Sequence, residues 1–131
     1  AVKLLEPNRV KKARKAVANH YNWQRERYGR AFKEMGLGIY TGNGGFYHWL
    51  ELPAGMNSVE LNNRLFKRGA AILCASDCDM GRPHSKDPKY ISPYSRFFRF
   101  SFGPLLPETF ENDIKLFREV YEEYKKDINL I

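Results

Sequence analysis

A two-layer α+β domain is predicted, with helices on one face of a small mixed or antiparallel sheet and a long helix leading in at the amino end. Three features of the chain predict it. Short stretches crowded with aromatic and branched side chains have strand length, and glycine or proline closes most of them. Between them lie stretches in which apolar residues recur every three or four positions. The 131 residues suffice for one compact domain with a modest core, so residues 1–131 are read as a single unit.

Pro7-Asn8 marks the first helix start, with Asn8 as its cap. Val10, Ala13, Val17, Tyr21, Tyr28, Phe32 and Met35 follow at near-helical spacing, and Gly36 and Gly38 end the run. A helix over 9–35 would be about 40 Å long at 1.5 Å per residue, long enough to reach beyond its own domain. Residues 37–40 read as a short extended segment before the turn Thr41-Gly42-Asn43-Gly44. The strand that follows, 45–52, has large side chains on both faces, as strands buried on both sides do. Asn57 with Glu60 three residues on resembles a capping box, opening a helix that carries Leu61, Leu65 and Phe66 and stops at Gly69. Residues 70–74 form a short apolar strand. The stretch 75–95, punctuated by Gly81, Pro83, Pro88 and Pro93, has no periodicity. Irregular segments of that length in small domains are usually functional or mobile. Pro107 suits the first position of a last helix, with Glu108 and Glu111 in its first turn and a stripe of Phe110, Ile114, Phe117, Tyr121, Tyr124 and Ile128.

Between the irregular stretch and the last helix lies Arg96-Phe97-Phe98-Arg99-Phe100-Ser101-Phe102, stopped by Gly103-Pro104. Side chains alternate along a strand, so Phe98, Phe100 and Phe102 share one face and Phe97, Arg99 and Ser101 the other. By the same parity Arg96 falls on the phenylalanine side and reads as a strand-end charge reaching solvent. The phenylalanines require a core, which leaves Arg99 at mid-strand on the opposite face. A guanidinium held there calls for a planar anion. That anion is either a protein carboxylate, with Glu51 on the neighbouring aromatic strand as a candidate, or the carboxylate of a ligand.

The net charge of +7 is confined to one end: residues 1–36 hold ten lysines and arginines against Glu6, Glu26 and Glu34, and the remaining charges balance. Such a patch serves nucleic acid or an anionic surface, or is simply the solvated face of a long helix. Trp23 and Tyr28 among Arg25, Arg27 and Arg30 have a composition that can stack bases, but no nucleic-acid motif accompanies them, and a helix that buries one side on a partner domain uses the same residues. No apolar run approaches membrane-spanning length. Two cysteines give no disulfide framework, which points to a reducing, cytoplasmic compartment. Cys74 and Cys78 with His84 have loosely metal-like spacing, yet a closed zinc site needs a fourth ligand that is not near in sequence, so the thiols are read as inert or partly exposed. His20 and His48 are read as packed, hydrogen-bonded histidines.

Four motifs in order carry a family resemblance. Gly44-Gly45-Phe46-Tyr47-His48-Trp49-Leu50-Glu51-Leu52-Pro53 resembles the strand that opens the small domain of fold-type I, pyridoxal-phosphate-dependent aminotransferases. The run 69–81 is similar to the short strand and glycine-containing loop that come next, Arg99-Phe100-Ser101-Phe102 to the family's "R-[LF]-S-F" strand, and Leu106-Pro107-Glu108 to the start of its final helix. The resemblance covers essentially the whole chain, 9–35 matching the helix that links the large and small domains. The length of the loop before Arg99 is most similar to the valine–pyruvate branch.

The resemblance implies that this chain is the carboxyl-terminal small domain of such an enzyme. Arg99 would bind the α-carboxylate of an amino-acid or 2-oxo-acid substrate, and the full-length protein would be a homodimer. It also implies that pyridoxal phosphate is held by a large domain absent from these 131 residues. The cofactor lysine would lie in that domain, and Ser85-Lys86 comes after it. No catalytic, cofactor-binding or metal-binding residue is therefore assigned here, and the chain alone is not expected to be active. Cys74-Ala75 and Cys78 depart from the family pattern near the substrate mouth, so substrate choice does not carry over. The alternatives are a non-catalytic binding or regulatory module with this fold, or a basic nucleic-acid-associated domain.

Overall fold

The computed structural model describes residues 2–81 and 87–130. After a 3-10 turn at Val2–Leu5, the elements are α1 (Pro7–Glu34), β1 (Gly38–Tyr40), β2 (Tyr47–Glu51), α2 (Ser58–Lys67), β3 (Leu73–Cys74), β4 (Phe97–Ser101) and α3 (Phe110–Asp127). The strands form one antiparallel sheet in the order β1-β2-β4-β3. The predicted α+β class, the long leading helix and the antiparallel form of the sheet are what the structure has.

Local chemistry accounts for the helix ends. Pro7, not a residue after Asn8, is the first helical position of α1; Glu6 precedes it without a side-chain cap. Proline is pre-set for that position because its missing N–H has no partner in a first turn anyway. At the start of α2 the Asn57 side-chain oxygen accepts from the Val59 and Glu60 amides at 2.8 and 3.4 Å. The second half of the capping box does not form. Glu60 pairs with Arg64 at 2.7 Å, and the Asn57 amide donates to the Tyr124 hydroxyl at 3.1 Å, tying the start of α2 to α3. Asn57→Ala is expected to cost about 1 kcal/mol through the lost cap, read as a lowered urea midpoint with an unchanged slope. Gly36 and Gly69 end α1 and α2 with φ of 80° and 79°, a left-handed conformation that side chains with a Cβ resist.

All three helices pack on one face of the sheet. Leu50, Phe98 and Phe102 are fully buried against Tyr28 and Phe32 of α1, Leu61 and Leu65 of α2, and Phe117 and Tyr121 of α3. Ring contacts knit the layers: Phe32 meets Phe100 edge-on at 4.8 Å and Phe117 at 5.2 Å, and Phe98 stacks on Phe117 at 5.9 Å. Only the second half of α1 takes part. Residues 11–20 are exposed on every side, Val17 among them, and Trp23 is 48% exposed.

Three expectations need correction. The predicted strand 70–74 shrinks to Leu73–Cys74, because the Ala70 amide bonds the Leu65 carbonyl and the Ile72 amide bonds the Asn62 side chain. The backbone before Leu73 is thus committed to α2. Second, β2 is not buried on both sides: His48 and Leu50 are buried, while Tyr47 is exposed and Trp49 and Glu51 are partly open. Third, His20 is not packed; it lies exposed on α1 beside Tyr21 and Trp23. Among the described residues no helix is long and apolar enough to cross a membrane.

Candidate functional site

The face of the sheet away from the helices carries the candidate residue, Arg99. Register places Tyr40, Trp49, Arg99 and Leu73 in one row across all four strands, with Arg99 flanked by Trp49 and Leu73. Their neighbours along the strands, Ile39, Leu50, Phe98 and Cys74, form the corresponding row on the helix side. Alternation thus fixes Arg99 on the open face as firmly as it buries Phe98. On this face Tyr94 of the irregular stretch packs against Phe97, and Arg99 is half-buried.

The internal anion expected as one partner for Arg99 is paired with other residues. Glu51, the candidate internal partner, is fully engaged elsewhere. One of its carboxylate oxygens takes the Arg96 guanidinium at 2.5 Å, and the other accepts from the Tyr40 hydroxyl at 2.7 Å. Arg96 also donates to the Leu52 carbonyl at 2.9 Å. It is therefore not a charge simply reaching solvent, as parity suggested. The Phe97 amide bonds the Tyr94 carbonyl, so a turn precedes β4 and alternation does not extend back to Arg96.

Among the described residues the Arg99 side chain makes no ion pair or hydrogen bond, and its Nε is a buried donor without a partner. Buried donors are ordinarily satisfied, which sets this one apart. A ring lies close to it: the guanidinium carbon is 5.2 Å from the centre of the Tyr47 ring. Around it the face is aromatic, with Phe97 packed against Tyr40, Trp49 and Tyr94.

Solved structures that share this fold include an aspartate aminotransferase of subgroup IV from Thermus thermophilus, 21% identical, with a TM-score of 0.55 and covering 79% of this chain and 26% of that one. An archaeal alanine:glyoxylate aminotransferase is 20% identical, with a TM-score of 0.58, over 79% of this chain and 24% of that one. A probable N-succinyldiaminopimelate aminotransferase, also from Thermus thermophilus, is 25% identical, with a TM-score of 0.57, over 89% of this chain and 27% of that one. The fold is one found within aminotransferases. The chain spans about a quarter of the length of the solved structures it matches. No family model and no curated protein matches it.

The other candidates divide. The ring of His48 is buried between α1 and the sheet, where Nε2–H donates to the Arg25 carbonyl at 3.0 Å and Nδ1 accepts from the Thr41 hydroxyl at 2.7 Å. Gly29 makes room for it, since a Cβ there would stand 3.2 Å from the imidazole. The basic-aromatic cluster on α1 is largely engaged within the fold. Arg27 lies between the Trp23 and Phe110 rings at 4.0 and 4.4 Å and donates to the Pro107 carbonyl, and Tyr28 is buried. Arg25 bonds Asn22 and the Asn43 carbonyl. Cys74 is buried with its thiol pushed up by burial, whereas Cys78 is exposed. Among the described residues no three metal-ligating side chains are grouped to hold a metal ion. His84 and Ser85-Lys86 lie outside the described residues. Of the lysines that are described, none is buried, and Lys125 is only partly covered. A lysine that forms a Schiff base at neutral pH is normally desolvated or crowded by other cations, so these surface lysines do not fit the cofactor.

Proposed function

We propose that this chain is the carboxyl-terminal small domain of a pyridoxal-phosphate-dependent aminotransferase of fold type I, and that Arg99 receives the α-carboxylate of the amino-acid or 2-oxo-acid substrate. One observation carries the reading: a mid-strand arginine on the open face of the sheet, whose expected internal partner Glu51 is taken by Arg96 and Tyr40. The aminotransferase fold of the chain supports it. Closure of a second domain over this face would desolvate the guanidinium, and a carboxylate then meets its fork of donors with two parallel bonds. The chain's contribution to the reaction is orientation of the substrate, which removes rotational freedom before any bond changes. Pyridoxal phosphate, held by a large domain outside these residues, supplies the carbanion-stabilising chemistry. The full-length protein on this reading is a cytoplasmic homodimer, and the exposed first half of α1 is the part that runs to the large domain.

Two measurements test the reading. The 131-residue chain, mixed with pyridoxal phosphate and reduced with borohydride, should carry no adduct concentrated at one lysine. A single specific adduct would place the cofactor within this chain and overturn the domain assignment. The complete protein loaded with cofactor should respond spectroscopically to 2-amino acids and far more weakly to the corresponding amines. Equal responses would remove the carboxylate site.

A further inference from the structure

We propose that Tyr47 is the positioning residue of Arg99, its ring serving as the shelf that sets the plane and direction of the guanidinium. The inference rests on the reading of Arg99 as the carboxylate-binding residue. Tyr47 lies opposite Ser101, and Trp49 opposite Arg99, so Tyr47 stands diagonally across from Arg99 on the same open face. The guanidinium carbon is 5.2 Å from its ring centre, within the range of a cation–ring attraction. Among the described residues no carboxylate pairs with the charge. Trp49 and Leu73 flank the arginine in its row, and Glu51, the nearest carboxylate considered for it, is bound to Arg96 and Tyr40. With Nε buried and unpartnered, the head of the side chain is held by no hydrogen bond within the described chain.

An arginine side chain carries four soft torsions, and a bidentate carboxylate contact demands one orientation of its plane. A ring face is suited to restrict that plane without spending any of the N–H donors, so those of the two terminal nitrogens stay free to meet the ligand. Tyr47 is itself steadied by the Phe46 ring at 5.9 Å, edge to face, and Phe46 in turn packs against Tyr21 of α1 at 6.2 Å. The shelf is therefore braced from the helix that leads into the domain. Its hydroxyl has no part in the proposed role, so phenylalanine should replace tyrosine and an aliphatic residue should not.

The test reads the arginine directly. In the 15N-labelled chain, the Arg99 Nε–H signal is expected to relax as an ordered group, with an order parameter of about 0.85. Tyr47→Leu should lower it below about 0.6, and Tyr47→Phe should leave it in place. Tyr47→Val provides a second aliphatic variant should leucine disturb the strand. An unchanged order parameter in both aliphatic variants overturns the proposal. In the complete protein, the preference for L-alanine over ethylamine should fall about tenfold in Tyr47→Leu, stay near wild type in Tyr47→Phe, and show no further loss when Tyr47→Leu is added to Arg99→Ala. An equal loss in both backgrounds would mean that Tyr47 acts on the ligand without Arg99, and would overturn the positioning role. Loss of the preference in neither Arg99→Ala nor Tyr47→Leu sinks the site reading itself, a result separable from the order-parameter measurement.

Discussion

Arg99→Ala should leave the stability of this chain within about half a kcal/mol of wild type, and should weaken carboxylate substrates of the complete protein by at least about a hundredfold. The two halves of this expectation follow from one geometry. In the chain the guanidinium has no carboxylate to strand, since Glu51 keeps Arg96 and Tyr40 when Arg99 is removed. What is lost is the contact with the Tyr47 ring and some packing of the aliphatic stem between Trp49 and Leu73. What is gained is relief of a buried donor without a partner. In the complete protein, under a closed second domain, the same substitution removes one member of a desolvated charge pair and leaves the substrate carboxylate without its counter-ion. Arg99→Lys should recover only part of the loss, because an ammonium makes no parallel pair of bonds. Thermal melting of the Arg99→Ala chain and substrate titration of the complete variant check the two halves. A fall of several kcal/mol in the chain would make Arg99 a structural residue and remove the site assignment.

Much of the architecture was legible because it rests on local patterns. The phenylalanine alternation of β4 reports which face is buried, and the apolar stripe of α3 reports the helix that covers it. Asn57 and the glycines at 36 and 69 mark helix ends through backbone chemistry that acts within a few residues. The failures share a different origin. Strand β3 is short because Ala70 and Ile72 bond to α2, a competition between two elements that no local pattern records. The aromatic side chains on the outer face of β2 look like core residues in sequence, yet Tyr47 is exposed. An aromatic run reports that a surface favours burial; it does not report what buries it.

The candidate site was legible in its central residue and not in its surroundings. Parity alone put Arg99 on the face away from the core. That Glu51 would take Arg96 required knowing that the chain turns at Tyr94–Phe97, and that Tyr47 would lie beneath Arg99 required the register of β2 against β4. Register between paired strands depends on how the intervening segments pack, and here α2, β3 and the irregular stretch all lie between the two strands.

The stability of the chain should fall as pH is lowered from about 6.5 to about 4, by about 3 kcal/mol in total from His48 alone. His48 is 2% exposed, and burial lowers its pKa to about 4, with the Arg25 charge acting in the same direction and the hydrogen bond to the Arg25 carbonyl opposing it. The bonding fixes the tautomer of the neutral ring. A carbonyl can only accept, so Nε2 carries the proton and Nδ1 is then the acceptor for Thr41; a second proton would reverse that bond, with Nδ1–H donating to the hydroxyl, so its cost is the desolvation of the charged ring. Phe32 and Phe102, whose ring centres lie 6.0 and 5.1 Å away, give an added charge no compensation beyond their ring electrons. In the unfolded chain the imidazole takes up a proton near its ordinary value of about 6.5. Above that pH neither state holds the extra proton and His48 contributes no slope. Between the two values the unfolded state binds more protons, so stability declines by up to about 1.4 kcal/mol per pH unit, and the decline levels off once the folded form protonates as well. Urea denaturation at half-unit intervals of pH measures the slope. His48→Gln, whose side-chain amide can donate to the Arg25 carbonyl but does not titrate, should flatten it over this window even if it lowers stability at neutral pH. A slope that survives in His48→Gln would have to come from carboxylates, and would mean that the buried imidazole is not the group that couples folding to pH.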